Sequence, residues 1–195
     1  MLSFSDVSFA YDKKQVLKDF SLSLEKGEIL AIMGDSGCGK STLLNLAAGL
    51  IKPQSGELIN RATKISYVFQ EPRLFPWLSV RENILAVLSD KEADKTTLDE
   101  KVQKALAAVG LSDSAALSPS ELSGGMKSRV ALARALAYGG DLFLLDEPFA
   151  SLNEELREEL ISYLKEYFHS IGASVLLVTH QRSDAEKLAD RILKM

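Results

Sequence analysis

Among its 195 residues the sequence has a single cysteine, Cys38, so an internal disulfide is excluded and the fold must be held by packing. Long apolar runs are missing too. Nothing approaches the roughly 18 to 20 consecutive apolar residues that cross a bilayer as a helix. The start carries Asp6 and has no basic residue before Lys13, which argues against a secretory leader. Positive charge is in short supply: 23 Lys and Arg face 27 Asp and Glu, for a formal net charge of −4 and a pI near 5.3. That balance leaves no electrostatic footprint for nucleic acid or an anionic membrane surface. There is no internal repeat and no low-complexity segment. What remains is a chain that is 46% hydrophobic, long enough for one domain with a real core and a lobe inserted into it.

The most informative stretch is GDSGCGKST, residues 34–42, which satisfies G-x-x-x-x-G-K-[ST]. Phosphate chemistry explains the residue types. Gly34, Gly37 and Gly39 allow backbone turns in which successive N–H groups point inward at an anion, with Ser36 and Cys38 between them. Cys38 reads as a small side chain that fits the loop, with a thiol activated by the nearby helix N-terminus as the alternative. Lys40 reaches the terminal phosphates, Ser41 offers a hydroxyl to Mg²⁺, and Thr42 follows in a helix whose N-terminal dipole favours negative charge. The apolar run 29–33 predicts a buried parallel strand before the loop, and residues 41–50 predict a helix stopped near Gly49.

Upstream, Val7, Phe9 and Tyr11, then Phe20, Leu22 and Leu24, alternate with polar or small residues as in antiparallel strands with one wet face. Strands are also expected at 57–60 and 65–69, the latter ending at Gln70. EPRLFPW, residues 71–77, has two prolines and two aromatics and reads as a packed loop. Helices are expected at 80–88 and 98–109, with Val102, Ala105, Leu106 and Val109 on one face and a polar surface connection, 89–97, between them. A helix at 123–137, a buried strand at 142–145, an Asn153-capped helix to 168, a strand at 174–179, a helix at about 183–189 and a short end at 191–195 complete the chain. His169 reads as a solvated helix residue.

Two further features bear on chemistry. Four apolar residues followed by Asp146 and Glu147 put two carboxylates at a strand tip, where a metal-dependent nucleotide hydrolase needs one for the Mg²⁺ complex and one to polarise water. LSGGM, residues 122–126, opens a helix with the Ser123 hydroxyl and the free N–H groups of Gly124 and Gly125, a second anion-suited helix start in a chain with one phosphate loop.

GDSGCGKST, Gln70, LSGGM, LFLLDEP and His180, in this order and spacing, resemble the ATP-binding-cassette (ABC) ATPases over essentially the whole chain. The resemblance implies an α/β phosphate-loop fold with a mostly parallel central sheet, an N-terminal antiparallel β subdomain and an inserted helical subdomain. It implies one nucleotide-binding domain, with residues 1–70 and 138–195 as ATPase core and β subdomain and about 71–137 as the helical subdomain carrying the signature. It implies ATP with Mg²⁺ as the substrate. Tyr11 corresponds to the aromatic that stacks on adenine, with Phe9 the weaker candidate; Gln70 senses Mg²⁺ and the attacking water, and His180 contacts the γ-phosphate. Lys40, Ser41, Asp146 and Glu147 act from one chain. Ser123, Gly124 and Gly125 serve the nucleotide of a second copy packed head to tail, which accounts for the second anion-suited helix start.

EPRLFPWLSVRENI, LSGGM and RVALARAL resemble the cassettes of bacterial importers for taurine, sulfonates and nitrate. This implies a place on the cytoplasmic side of the membrane, transmembrane permease subunits and an extracytoplasmic solute-binding protein as partners, and no nucleic acid. Phe75, Pro76, Trp77 and Leu78 are candidates for the groove that seats the permease, or else close the core of the helical lobe. The alternative is a soluble ABC ATPase serving DNA repair, translation or cofactor assembly; such relatives tend to carry a second cassette or an extra arm. The chain departs from the pattern at Asn153, Ser128 and Gln181, where Asp, Gln and Asp are usual, and it ends soon after the last cassette helix.

Overall fold

A computed structural model describes residues 1–12, 14–88 and 94–195. Two strands open the chain, β1 (Leu2–Tyr11) and β2 (Lys14–Leu24), paired antiparallel from Leu2↔Leu24 to Tyr11↔Lys14. A third strand, β4 (Ser55–Asn60), pairs with the other edge of β1, giving the order β2-β1-β4. The register shifts near Asp6 and Asp19, both at positive φ. There the Ser21 hydroxyl accepts from the Asp6 N–H and the Ser8 hydroxyl from the Asp19 N–H, so the irregularities keep their hydrogen bonds.

The second sheet is built on β3 (Ile29–Met33), β5 (Ile65–Val68), β6 (Leu142–Asp146), β7 (Ser174–Thr179) and β8 (Arg191–Lys194), in the order β5-β6-β7-β3-β8. Pairing is parallel between β3 and β7, β3 and β8, and β6 and β7. All residues of β6 and β7 are buried, which is why their sequences run apolar instead of alternating. Helix α1 (Lys40–Ala47) lays Leu43, Leu44 and Leu46 into the core that contains Leu30, Ile32, Leu144 and Leu176. The expected short end, 191–195, is instead largely a fifth strand, β8. Only two apolar residues, Ile192 and Leu193, stand between charges in RILK, too few to show a period, and its pairing with β3 makes it a strand.

The chain divides into two compact units: residues 1–67, 140–147 and 164–195, and residues 68–139 with 148–163. The second unit holds α2 (Val80–Leu85), α3 (Lys95–Ala108) and α4 (Gly124–Tyr138). Val102, Ala105, Leu106 and Val109 are buried, as their helical spacing predicts. Helix α3 begins before residue 98 because the Asp94 side chain accepts from Thr97 N and caps it; residues 89–93 of the expected connection lie outside the described residues. This unit also includes residues 148–163, which fall within the expected core range 138–195. The loop there meets the start of α4 so closely that a Cβ on Gly125 would stand 2.6 Å from Ser151 O. Asn153 caps α5 (Glu154–Ile171), accepting from Leu156 N at 3.1 Å. His169 is not simply solvated: its Nε2 lies 3.4 Å from an Asp190 carboxylate oxygen.

The 71–77 stretch forms a loop pinned by Asn83, which is fully buried. Its Oδ1 accepts from Phe75 N at 2.8 Å, and its Nδ2 donates to the carbonyls of Phe75, Leu78 and Ser79 at 3.0 to 3.1 Å. Asn83→Ala would strand these groups, so urea titration is expected to show a loss of about 2 to 4 kcal/mol. A loss below about 1 kcal/mol would mean that the loop finds other partners. Phe75 and Trp77 are 38% and 76% exposed, so they do not close the lobe's core.

Candidate functional site

The first unit brings the phosphate loop, both carboxylates and His180 to one edge of the sheet. Parallel register aligns Met33 with Thr179 and Asp146 with Val178, so β3, β6 and β7 end together and the chain after each strand enters the same crevice. Gly37 and Gly39 have φ of 80° and 111°, conformations that side-chain-bearing residues rarely adopt. Gly34 is needed for a different reason: a Cβ there would stand 2.8 Å from Cys38 Sγ and 2.9 Å from Met195 O. Behind Gly39 lie Val16 Cγ1 and Met195 Cε, 2.8 and 3.1 Å from where its Cβ would be. Gly39→Ala is therefore expected to weaken ATP binding at least about tenfold in an equilibrium titration, through strain in the loop. Unchanged affinity would show that the loop can relax.

Lys40 is buried, and its Nζ donates to Gly34 O at 2.7 Å and Asp35 O at 2.8 Å. The loop's own carbonyls thus hold the ammonium at its centre. Ser41, one residue on, hydrogen-bonds the carboxylate of Asp146, which is 4% exposed. Burial is the largest influence on Asp146 and pushes its carboxyl above the ordinary range. Glu147 adds to the rise, while the Ser41 hydroxyl and the Lys40 charge oppose it. A buried carboxylate of this kind, beside a hydroxyl, fits Mg²⁺: a cation there would offset the cost of keeping Asp146 ionised. Among the described residues no cluster of three His, Cys, Asp or Glu could form an all-protein metal cage. Mg²⁺ commonly binds one carboxylate and completes its shell with water and phosphate.

Glu147 stands just past β6 at φ 47°, and its N–H donates to Val178 O at 2.9 Å. Its Oε1 accepts from His180 N at 2.9 Å and from His180 Nδ1 at 2.7 Å. A carboxylate only accepts, so Nδ1 carries the hydrogen and Nε2 is left as the ring's other functional atom. Glu147 has a side chain 10% exposed and that of His180 is 60% exposed, so the acid is sheltered while the ring opens to solvent. Thr179 was not singled out from the sequence, where it reads only as the end of an apolar strand. It is 1% exposed and donates Oγ1 to Glu147 Oε2 at 3.3 Å. Its polar type at the inner end of a buried run was the available signal.

Tyr11 ends β1, 47% exposed, with its ring edge-on to that of the buried Phe9 at 4.9 Å. Of the two, Tyr11 is the one exposed to a ligand. Gln70 and Ser123, Gly124 and Gly125 belong to the second unit. Gln70 is exposed beyond β5, and the Ser123 hydroxyl accepts from Met126 N at 3.3 Å as the N-cap of α4.

Residues 17–150 match the ABC transporter family. The chain is 42% identical over 191 residues to the taurine import ATP-binding protein TauB of Roseobacter denitrificans, covering 94% of this chain and 71% of that protein. It is 41% identical over 200 residues to the aliphatic sulfonates import ATP-binding protein SsuB 3 of Pseudomonas savastanoi, covering 98% and 72%. Against the spermidine/putrescine import ATP-binding protein PotA of Fusobacterium nucleatum the identity is 38%, and the chain spans 53% of that protein's length. Its fold is similar to the dimeric structure of MJ0796, a bacterial ABC transporter cassette, with a TM-score of 0.92 at 30% identity over 100% of this chain and 94% of that one. A post-hydrolysis dimer of the same cassette bound to ADP and Pi matches equally well. With the phosphate loop, the paired carboxylates and the histidine at one sheet edge, and with these similarities along the chain, the protein belongs to the ABC transporter family.

Proposed function

We propose that the chain is the ATP-hydrolysing subunit of a bacterial ABC importer, working as a head-to-tail pair of cassettes beneath a membrane permease. The observation that carries this reading is the joint placement of Lys40, the Ser41–Asp146 pair and the Glu147–His180 pair at the ends of β3, β6 and β7. Tyr11 receives the adenine. The N–H groups of the 34–42 loop and Lys40 take the phosphates. Mg²⁺ would be held by Ser41 and Asp146, with Gln70 as a further candidate ligand, and when bound it would supply positive charge to the phosphates. Glu147 accepts a proton from the attacking water, and His180 orients Glu147 through Nδ1 while Nε2 meets the γ-phosphate.

Ser123, Gly124 and Gly125 close over the nucleotide of the second copy, for which their place at the start of α4, with Ser123 and Gly124 exposed, is suited. The dimeric form of a similar cassette supports this pairing. Exposed Phe75 and Trp77, with Pro76 and Leu78, form the seat for the permease. The taurine and sulfonate import relatives favour an importer of small organic solutes over a soluble non-transport ATPase. Importers of this kind use an extracytoplasmic solute-binding protein, and their cassettes sit at the cytoplasmic face. Among the described residues no helix is long and apolar enough to cross a membrane, in keeping with a peripheral subunit. Affinity purification from solubilised membranes of the native cells tests the assignment. Recovery of a multi-spanning protein with the chain is expected; recovery with ribosomes or DNA instead would overturn it.

A further inference from the structure

The loop over residues 72–78 is fastened at both ends by polar side chains of its own unit. On one side Arg134 of α4 donates Nη2 to Pro72 O at 2.9 Å and Nη1 to Arg73 O at 3.0 Å. Two successive carbonyls thus share one guanidinium at a turn where Arg73 has φ 46° and lays its own guanidinium 4.0 Å over the Phe69 ring. On the other side Asn83 of α2 holds Phe75, Leu78 and Ser79. Between these fixings the Phe75 and Trp77 rings stand 5.7 Å apart, Trp77 largely in solvent and Phe75 partly covered.

Arg134 lies on the helix whose first turn carries Gly124 and Gly125. A helix of this length moves as a stiff element, so a shift of its N-terminal end reaches Arg134 and, through two hydrogen bonds, the carbonyls of the loop. We propose that Arg134 is a positioning residue that makes the 72–78 loop travel with the signature helix, so that closure of residues 123–125 on a second copy's ATP is felt at Trp77. This rests on the paired-cassette reading above. The planar two-pronged donor is essential to it: a lysine keeps the charge but cannot bridge both carbonyls in a fixed geometry.

Trp77 is the only tryptophan in the chain, so its fluorescence reports this loop alone. The test compares acrylamide quenching of Trp77 with and without ATP in Glu147→Gln and in Glu147→Gln/Arg134→Lys, with dimer mass and ATP affinity measured on the same samples. ATP is expected to change the quenching constant about twofold in the first, and by less than about a fifth of that change in the second, with dimer formation and affinity within about twofold of each other. A loop that merely lost stability would not separate these readouts. Arg134→Gln, whose amide can reach one carbonyl, is expected to give an intermediate response and serves as a second variant if the lysine variant unfolds on heating at a lower temperature. An undiminished ATP response in Arg134→Lys, or no response in Glu147→Gln although the dimer forms, would overturn the proposal. Absence of any ATP-dependent dimer would instead overturn the paired-cassette reading, and the inference with it.

Discussion

Glu147→Gln is expected to lower the turnover number for ATP about 10²- to 10⁴-fold, the range typical of losing a general base. Glutamine has the same shape and can still accept from His180 N at the position of Oε1, so the geometry after β6 is kept. It cannot take a proton from water, and its NH₂, at the position of Oε2, cannot accept from the Thr179 hydroxyl. In the proposed role Glu147 acts on the water and not on the phosphates, so ATP is expected to bind as before and the bound dimer to accumulate. Single-turnover phosphate release separates the two effects. Near-normal release would place the base elsewhere and leave Glu147 as a structural acid.

Lys40→Ala is expected to act one step earlier, weakening ATP binding by about 10²-fold or more, as truncating one partner of a buried charge pair commonly does. Two consequences add up in this variant. The γ-phosphate loses its nearest cation, and the carbonyls of Gly34 and Asp35, which now accept from Nζ at 2.7 and 2.8 Å, lose their donor. Asp146 also loses the Lys40 charge that opposes its upward shift, so ionising that carboxylate becomes harder. Isothermal titration with ATP and magnesium measures the loss. Affinity within about threefold of the natural chain would mean that the loop N–H groups carry the binding alone.

Much of this architecture was legible because the buried parallel strands announce themselves. Strands β3 and β7 occupy the residues expected, since each is an uninterrupted apolar run between polar turns. The edge strand β8 was not legible: in RILK only two adjacent apolar residues stand between two charges, with no period to read, and only hydrogen bonds to β3, far away in sequence, make it part of the sheet. Site residues whose role follows from type and spacing, such as Lys40 and Glu147, could be named from the sequence. The left-handed backbone at Glu147 and the capture of Lys40 by carbonyls could not, because both arise from how distant segments meet. Arg134 is the clearest omission. Within RVALARAL it reads as one polar residue of a helix, and the carbonyls it holds belong to a loop some sixty residues earlier, Pro72 and Arg73, at sequence separations of 62 and 61.

The proposed active site is divided between two copies, with the phosphate loop from one and residues 123–125 from the other. Mixing two inactive variants tests it most directly. Lys40→Ala spoils the phosphate loop and keeps the signature, whereas Ser123→Arg blocks the exposed N-cap of α4 and keeps the phosphate loop. In a head-to-tail pair formed from one of each, one composite site is whole. The 1:1 mixture is therefore expected to regain ATP hydrolysis, at about a quarter of the natural rate if the chains pair at random and sites act independently. A mixture as inactive as its two components, with mixed dimers demonstrably formed, would contradict the divided site.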